Sequence, residues 1–277
     1  SANLLALPDI DFGVVPLHII VGENDYIDDD KIDLTAMQEN LSSYKGKTST
    51  SSPSPHEWEN AFGDADVVFC ITVTSSLSGT YNSAVIAKDI YEQNHAGRKV
   101  YVLDSLSTGP EIALFIEKIA ELIKAGFAPD DIYKTLLEYK DKTHLYFSLA
   151  SLNNFAKNGR ISPVIAAGIG LLGVRVVGKA SDEGTLLPLD KCRGEKRALK
   201  KLIDHLKECG YTDGKIIIAH NNNEAGALEL KKLIENTFGI FNGTIQKTRA
   251  LCSYYAEPGS LLIGFEASLC NHKPYKD

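Results

Sequence analysis

The chain has 277 residues, a formal net charge of −7, 44% hydrophobic residues and 23% charged residues. This is the composition of a soluble globular protein, long enough for one large domain or two ordinary ones. Recognition of nucleic acid needs clustered Lys and Arg, and no long basic run is present, so nucleic acid is excluded as an expected partner. No apolar stretch approaches the roughly 18 residues of a membrane span, and no secretory signal is visible, so the expected location is the cytoplasm. The five cysteines, Cys70, Cys192, Cys209, Cys252 and Cys270, contain no C-x-x-C pair. They are expected as reduced thiols, not as zinc ligands.

In chain order, the first expected strand is Val14–Val21, followed by a turn at Gly22–Asp25. The acidic run Asp28-Asp29-Asp30 lacks the spacing and closing Glu of a calcium loop and reads as solvated. Asp33 is a candidate N-cap for a helix over 33–41. Lys47–Pro55, rich in Ser, Thr and Pro, reads as a loop, and Ser54 with Pro55 then opens a helix over 55–62. Val67–Thr74 is a continuous apolar run, the pattern of a buried strand. Ser75-Ser76-Leu77-Ser78-Gly79-Thr80-Tyr81-Asn82-Ser83-Ala84 follows as a hydroxyl-rich turn, and 85–91 has helical apolar spacing. Such a turn joins the C-terminal end of a strand to a helix N-terminus. Open α/β sheets bind ligands there, and free backbone N–H groups favour an anion.

A strand over 99–105 and helices over 112–123 and 129–139 come next. The strand–helix alternation predicts a first α/β domain with a mainly parallel sheet flanked by helices. The second half opens with a strand at 145–149, a small helix and an Asn158-Gly159-Arg160 turn. Gly168-Ile169-Gly170-Leu171-Leu172-Gly173 matches the dinucleotide fingerprint in letters only. A helix-like segment precedes it and a strand over 174–177 follows, the reverse of the required order, so NAD binding is rejected. Glu183-Gly184 signals a hairpin with a return strand over 186–189. The basic stretch Lys191, Arg193, Lys196, Arg197, Lys200 and Lys201 runs into a helix whose buried face is Ala198, Leu199, Leu202, Ile203 and Leu206. Strands over 215–220, 244–248 and 260–265 and a helix over 228–236 complete a second α/β domain with a mixed sheet. The expected division is 1–143 and 144–277.

No catalytic constellation accompanies these elements. Ser78 has Ser76 two residues before it, where a nucleophile elbow needs glycine. There is no P-loop and no H-E-x-x-H. The histidines are scattered, and only His220, at a strand end, holds interest. What remains near strand ends is a set of hydroxyls, Thr50, Ser51, Ser76, Ser78 and Thr80, with Gly79 where the backbone can approach a ligand closely. One cation, Arg160, is suited to pairing bidentately with an anion. That inventory holds an anion and does not break a bond. Two alternatives stay open: an enzyme or kinase subunit binding a phosphorylated small molecule at the same turn, and a scaffold with an incidental pocket. The apolar stretch Ile161–Val177 reads equally as core or as the lining of a deep pocket.

Several motifs in order resemble the DegV family of bacterial fatty-acid-binding proteins. Thr50-Ser51-Ser52-Pro53-Ser54 resembles its T-S-Q-P-S loop, with Ser52 for Gln. Ser75–Ala84 resembles its S-S-x-L-S-G-T-Y-x-S-A segment, one residue shorter. Asn158-Gly159-Arg160-Ile161-Ser162 resembles G-G-R-I-S, Lys191-Cys192-Arg193-Gly194 resembles K-x-R-G, and Pro258-Gly259 matches the end of H-x-G-P-G. The resemblance implies two α/β domains with one long-chain fatty acid between them and no cofactor. It places the carboxylate on Thr50 and Ser78, with Ser51, Ser76, Gly79 and Thr80 close by and Arg160 near the head group. It also implies that the protein is not itself an enzyme but presents the fatty acid to a separate kinase catalytic subunit, with Lys191, Arg193, Lys196 and Arg197 as the contact surface. Three departures stand out. The family's D-S-[ST]-A-[DN]-L opening survives only as Ser1-Ala2-Asn3-Leu4, so its first strand is expected to be missing here. Tyr255 stands where the family has histidine, which puts that residue's role in question. Glu257 stands where the family has glycine, and beside the head group it would repel a carboxylate.

Overall fold

The structure, a computed structural model, describes residues 5, 7, 9–162 and 173–267. The fingerprint lookalike falls at 168–173, and all of it but Gly173 lies outside the described residues, as does 163–172 of the apolar stretch. The fold is α/β, as expected, but among the described residues the first half has two antiparallel strand pairings and one parallel, where a mainly parallel sheet was expected.

The first half begins with a three-stranded antiparallel sheet in the order β2-β1-β3, made of β1 (His18–Val21), β2 (Asn24–Ile27) and β3 (Thr48–Ser51). The expected turn at Gly22–Asp25 is tighter than predicted. Val21 pairs with Asn24, and Gly22 takes φ +64°, a conformation open to glycine. Lys47–Pro55 was expected as a loop, yet its first part is β3. Composition read Ser and Thr as turn formers, but β1 offers a ladder partner for each of Thr48–Ser51 and wins. Helix α1 (Leu34–Ser43) starts where expected, with Asp33 accepting from Ala36 N at 2.9 Å. Helix α2 (Pro55–Phe62) carries a capping box in which Ser54 and Glu57 each accept the other's backbone N–H.

Strands β4 (Val67–Thr72) and β5 (Lys99–Asp104) pair in parallel, with helix α3 (Thr80–Asn94) as the crossover. Helices α4 (Gly109–Lys124) and α5 (Pro129–Tyr139) follow. The six-stranded sheet then takes β6 (Thr143–Leu149), β7 (Val174–Ala180), β8 (Leu186–Arg193), β9 (Ile216–His220), β10 (Gly243–Lys247) and β11 (Leu261–Glu266), in the order β10-β9-β11-β6-β7-β8. It is mixed: β9 and β10 are parallel and every other pairing is antiparallel.

The two faces of that sheet do different work. Tyr146, Ile218, Leu261, Ile263 and Phe265 pack against helices α7 (Glu195–Glu208) and α8 (Glu224–Phe238). The alternate residues Leu145, Phe147, Leu149 and Leu262 point the other way, as the two-residue period of a strand requires. On that side α4 packs its Ala113, Leu114 and Phe115 in one cluster with Ile217 of β9. The approach is close at Gly264: a Cβ there would lie 2.5 Å from Glu111 N and from the Pro110 carbonyl carbon.

Of two short helices, one was foreseen. Helix α6 (Asn153–Lys157) matches the small helix expected there. Helix α9 (Ala250–Ala256) was not expected, being only 7 residues long. Its first turn explains a second difference. Asp28 is not solvated: it is 6% exposed and accepts from Ala250 N and Leu251 N, each at 3.0 Å. A carboxylate at a helix N-terminus satisfies orphan donors and the helix dipole together. Among the cysteines, Cys70, Cys192 and Cys252 are buried thiols outside any disulfide, as expected, whereas Cys209 is disulfide-bonded, which corrects the expectation of reduced thiols throughout. No helix among the described residues is long and apolar enough to cross a membrane.

Candidate functional site

Four segments from distant parts of the chain converge on one cavity of about 280 Å³. They are the end of β3, the turn from β4 into α3, the turn from β5 into α4, and helix α9. The floor is the inner face of the six-stranded sheet, with Leu145, Phe147, Leu149 and Leu262 in its lining. Small-molecule pockets of roughly 300–1,000 Å³ are commonly apolar with a few placed polar groups, and this one follows that pattern. A second cavity of about 340 Å³ runs along β4 and shares Leu17, Val73, Thr108, Leu251 and Cys252 with the first.

The polar rim comes from β3 and α3. Thr50, Ser51, Ser52, Ser78 and Gly79 all line the cavity. The two loops touch: a Cβ on Gly79 would lie 3.2 Å from Ser52 Oγ, and Ser83 Oγ donates to the Pro53 carbonyl at 2.6 Å. Ser78 Oγ and Thr80 Oγ1 are 2.7 Å apart, and Thr80 N donates to Ser78 Oγ at 3.3 Å. Gly79, the N-cap of α3, has no side chain to cap the helix, and Ser78 Oγ accepts from its first N–H instead. Thr80 is buried and faces the second cavity, not the first.

Tyr255 completes the rim. Its hydroxyl lies 2.8 Å from Thr50 Oγ1, and its ring packs on Phe155 with centroids 4.8 Å apart. The neighbouring Tyr254 reaches Thr48 in the same way, 2.7 Å between hydroxyl oxygens. Helix α9 therefore stitches two adjacent tyrosines to alternate residues of β3, and Asp28 fixes the helix at its start. The departure at Tyr255 thus keeps a polar contact at the rim. Glu257 is not in the wall: its carboxylate accepts from Ser151 Oγ at 2.8 Å and from Asn154 N at 3.1 Å.

Electrostatically the site is sparse. Among the described residues lining the cavity, Arg160 is the only charged one; it is exposed and has no ion-pair partner among the described residues. Behind the wall, Ser107 Oγ donates to Glu111, a fully buried carboxyl whose pKa burial pushes up to about 7. Asp104, which reads in sequence as a polar strand end, organises both turns by accepting from Ser75 N and Leu106 N, each at 3.1 Å. No group of His, Cys, Asp and Glu suited to a metal ion occurs among the described residues.

Not every expected residue converges. Ser76 lies outside the cavity wall, and its hydroxyl donates to the Glu183 carbonyl. His220 is buried at the end of β9, accepts from Asn223 N at 3.3 Å and takes no part in the cavity; burial lowers its pKa. Lys191 and Arg193 on β8 and Lys196 and Arg197 on α7 are exposed, away from the rim. Tyr255, Asp104 and Phe155 were not singled out as site residues from sequence.

With this geometry in place, comparison with known proteins is decisive. The family described as "Uncharacterised protein, DegV family" matches residues 6–268. The chain belongs to the DegV family. A DegV domain-containing protein of Streptococcus pneumoniae is 40% identical over 255 residues, covering 92% of this chain and 91% of the relative. Among solved structures, a DegV family protein from Eubacterium eligens loaded with heptadecanoic acid superposes with a TM-score of 0.93 at 39% identity, over 96% of each chain. The B3 protein of Streptococcus pneumoniae fatty acid kinase, loaded with linoleic acid, superposes with a TM-score of 0.90 at 40% identity, over 91% of this chain and 90% of the other.

Proposed function

We propose that this DegV protein is a carrier, not an enzyme, that holds one long-chain fatty acid in the cavity beneath the six-stranded sheet. The observation that carries the reading is the distribution of polarity: an apolar cavity with hydroxyls gathered at one rim, beside the N-terminus of α3. The carboxylate sits at Thr50, Ser51, Ser78 and Gly79, with Arg160 outside it as the only cation among the described lining residues. With Tyr255 as the donor in its 2.8 Å contact with Thr50 Oγ1, the Thr50 hydrogen is free to point at the ligand. The acyl chain lies over Leu145, Phe147, Leu149 and Leu262, and each methylene buried there contributes about 0.8 kcal/mol. The fatty acids in two DegV structures about 40% identical to this chain support the same ligand class here.

In this reading residues 1–143 and 144–277 are two domains, the first bringing the head-group loops and the second most of the acyl floor. The protein acts in the cytoplasm without a cofactor. It presents the carboxylate, the exposed end of its ligand, to a separate kinase catalytic subunit that docks on Lys191, Arg193, Lys196 and Arg197. The test is native mass spectrometry of the purified and then delipidated protein titrated with oleate. One fatty acid per chain is the expected stoichiometry; failure of any long-chain fatty acid to bind overturns the proposal.

A further inference from the structure

The tip of the β7–β8 hairpin, Ser181–Thr185, is stiff on its own. Ser181 N donates to the Thr185 carbonyl at 2.8 Å, Gly184 N donates to the Ser181 carbonyl at 2.9 Å, and Thr185 N donates to Ser181 Oγ at 3.0 Å. This rigid tip reaches across to the head-group loops of the first half. Ser76 Oγ donates to the Glu183 carbonyl. Gly184 is buried, takes φ +75°, and has no room for a side chain: a Cβ would lie 2.1 Å from Thr74 Oγ1 and 3.0 Å from Leu106 Cα. The glycine is therefore seated directly on the turns that follow β4 and β5, which Asp104 holds together through Ser75 N and Leu106 N. Leu106 itself sits at φ +51°, and it shares the cavity wall with Gly184, Thr185 and Leu186.

The hairpin is thus part of the wall, seated on the head-group turns at Gly184 and bonded to them at Ser76. β8 is the edge strand of its sheet and pairs only with β7. The Ser76 contact is one exposed hydrogen bond. We infer that the Ser181–Thr185 tip is a clasp: it lifts from Thr74 and Leu106 to let the ligand pass, and Ser76 is its catch and not a carboxylate ligand. The inference rests on the fatty-acid reading above. It also connects the two ends of β8, because the strand that begins at the clasp ends at Lys191 and Arg193, the proposed docking surface.

Release kinetics test it. Wild-type protein, Ser76→Ala and Gly184→Ala are loaded with a fluorescent polyene fatty acid, or with the corresponding fatty alcohol, and mixed with excess phosphatidylcholine vesicles in a stopped-flow instrument. Unfolding midpoints of the ligand-free proteins are measured alongside. A clasp predicts that Ser76→Ala releases both ligands roughly 3- to 10-fold faster, the range one hydrogen bond spans, with the unfolding midpoint lowered by no more than about 4 °C. Gly184→Ala releases them faster still. Release rates equal to wild type overturn the clasp while leaving the fatty-acid reading intact. Faster release of the acid but not of the alcohol also overturns it, because Ser76 would then be a carboxylate ligand. Wild-type protein that takes up no polyene sinks the fatty-acid reading, and the clasp with it.

Discussion

Tyr255→Phe is the cleanest probe of the proposed head-group grip. The substitution removes one oxygen and keeps the ring that packs on Phe155, so no apolar contact is lost. What is lost is the 2.8 Å contact with Thr50 Oγ1. A half-buried hydrogen bond between neutral groups contributes about 1 kcal/mol, which is about fivefold in affinity. Thr50→Val removes the donor itself. A hydrogen bond to a charged group contributes roughly 1.5–3 kcal/mol, so that variant weakens binding roughly 10- to 150-fold. The two effects are coupled by construction: once Thr50 is valine, Tyr255 has no hydroxyl to orient. In a double-mutant cycle read by calorimetric titration of oleate into delipidated protein, Tyr255→Phe is expected to cost about fivefold in the wild-type background and close to nothing in the Thr50→Val background. A fatty alcohol, which carries no negative charge, should respond far less to either change. Equal costs of Tyr255→Phe in the two backgrounds would refute the orienting role, and no cost in either would refute the placement of the carboxylate.

Glu111 makes stability depend on pH. Its folded pKa of about 7 lies above the usual carboxyl value because it is buried, so the folded state binds the proton more tightly than the unfolded state. The stabilising contribution is complete below about pH 4.5 and is lost as the pH rises to about 7, in total about 3 kcal/mol. Thermal midpoints should fall from pH 5 to pH 8 in wild type and change less in Glu111→Gln; parallel curves would count against the assignment. Gly264→Ala forces a Cβ to within 2.5 Å of the α4 backbone, which cannot swing aside like a side chain. A loss of about 2–3 kcal/mol in urea unfolding is expected, and an unchanged midpoint would mean that α4 shifts freely on the sheet. Reversing the charges of Lys191, Arg193, Lys196 and Arg197 to glutamate should abolish pull-down of the kinase catalytic subunit and leave oleate affinity within twofold, roughly the scatter of exposed charges. Loss of both together would place the patch in the ligand site and not on a docking surface.

The parts of the site made by local sequence were legible. The apolar run at Val67 and the hydroxyl turn after it predict a strand ending at a helix N-terminus, and β4, the turn and α3 form that unit. Ser54 and Asp33 were recognised as caps because capping is a contact three residues long. The rest depends on contacts that no local pattern records. Thr50 and Tyr255 are 205 residues apart, and Asp28 and Ala250 are 222 residues apart. Helix α9 is too short for helical periodicity to emerge, so no local pattern marks the element that carries Tyr255. Asp28 looked solvated because a run of acids usually is, yet a helix with unsatisfied donors lies against it. Ser76 and Ser78 have the same local setting, and only the distant hairpin tip distinguishes them.

That separation bears on why the site suits a carboxylate better than a phosphate. The turn from β4 into α3 resembles a phosphate cradle in its hydroxyls, its glycine and its helix N-terminus. A phosphomonoester carries a charge of roughly −1.5 to −2 near neutral pH, whereas a fatty acid carries one. The cost of moving an ion out of water grows with the square of its charge, and an apolar wall returns none of it. Here the described residues lining the cavity include one cation, Arg160, and it stands at the exposed edge. Ser76, one hydroxyl a dianion could have used, is turned away to Glu183. Beyond the rim, Leu145, Phe147, Leu149 and Leu262 provide nothing for the hydroxyls of a sugar to bond. A head group with a single charge and a long apolar tail meets both halves of this cavity, and a phosphorylated metabolite meets only the rim.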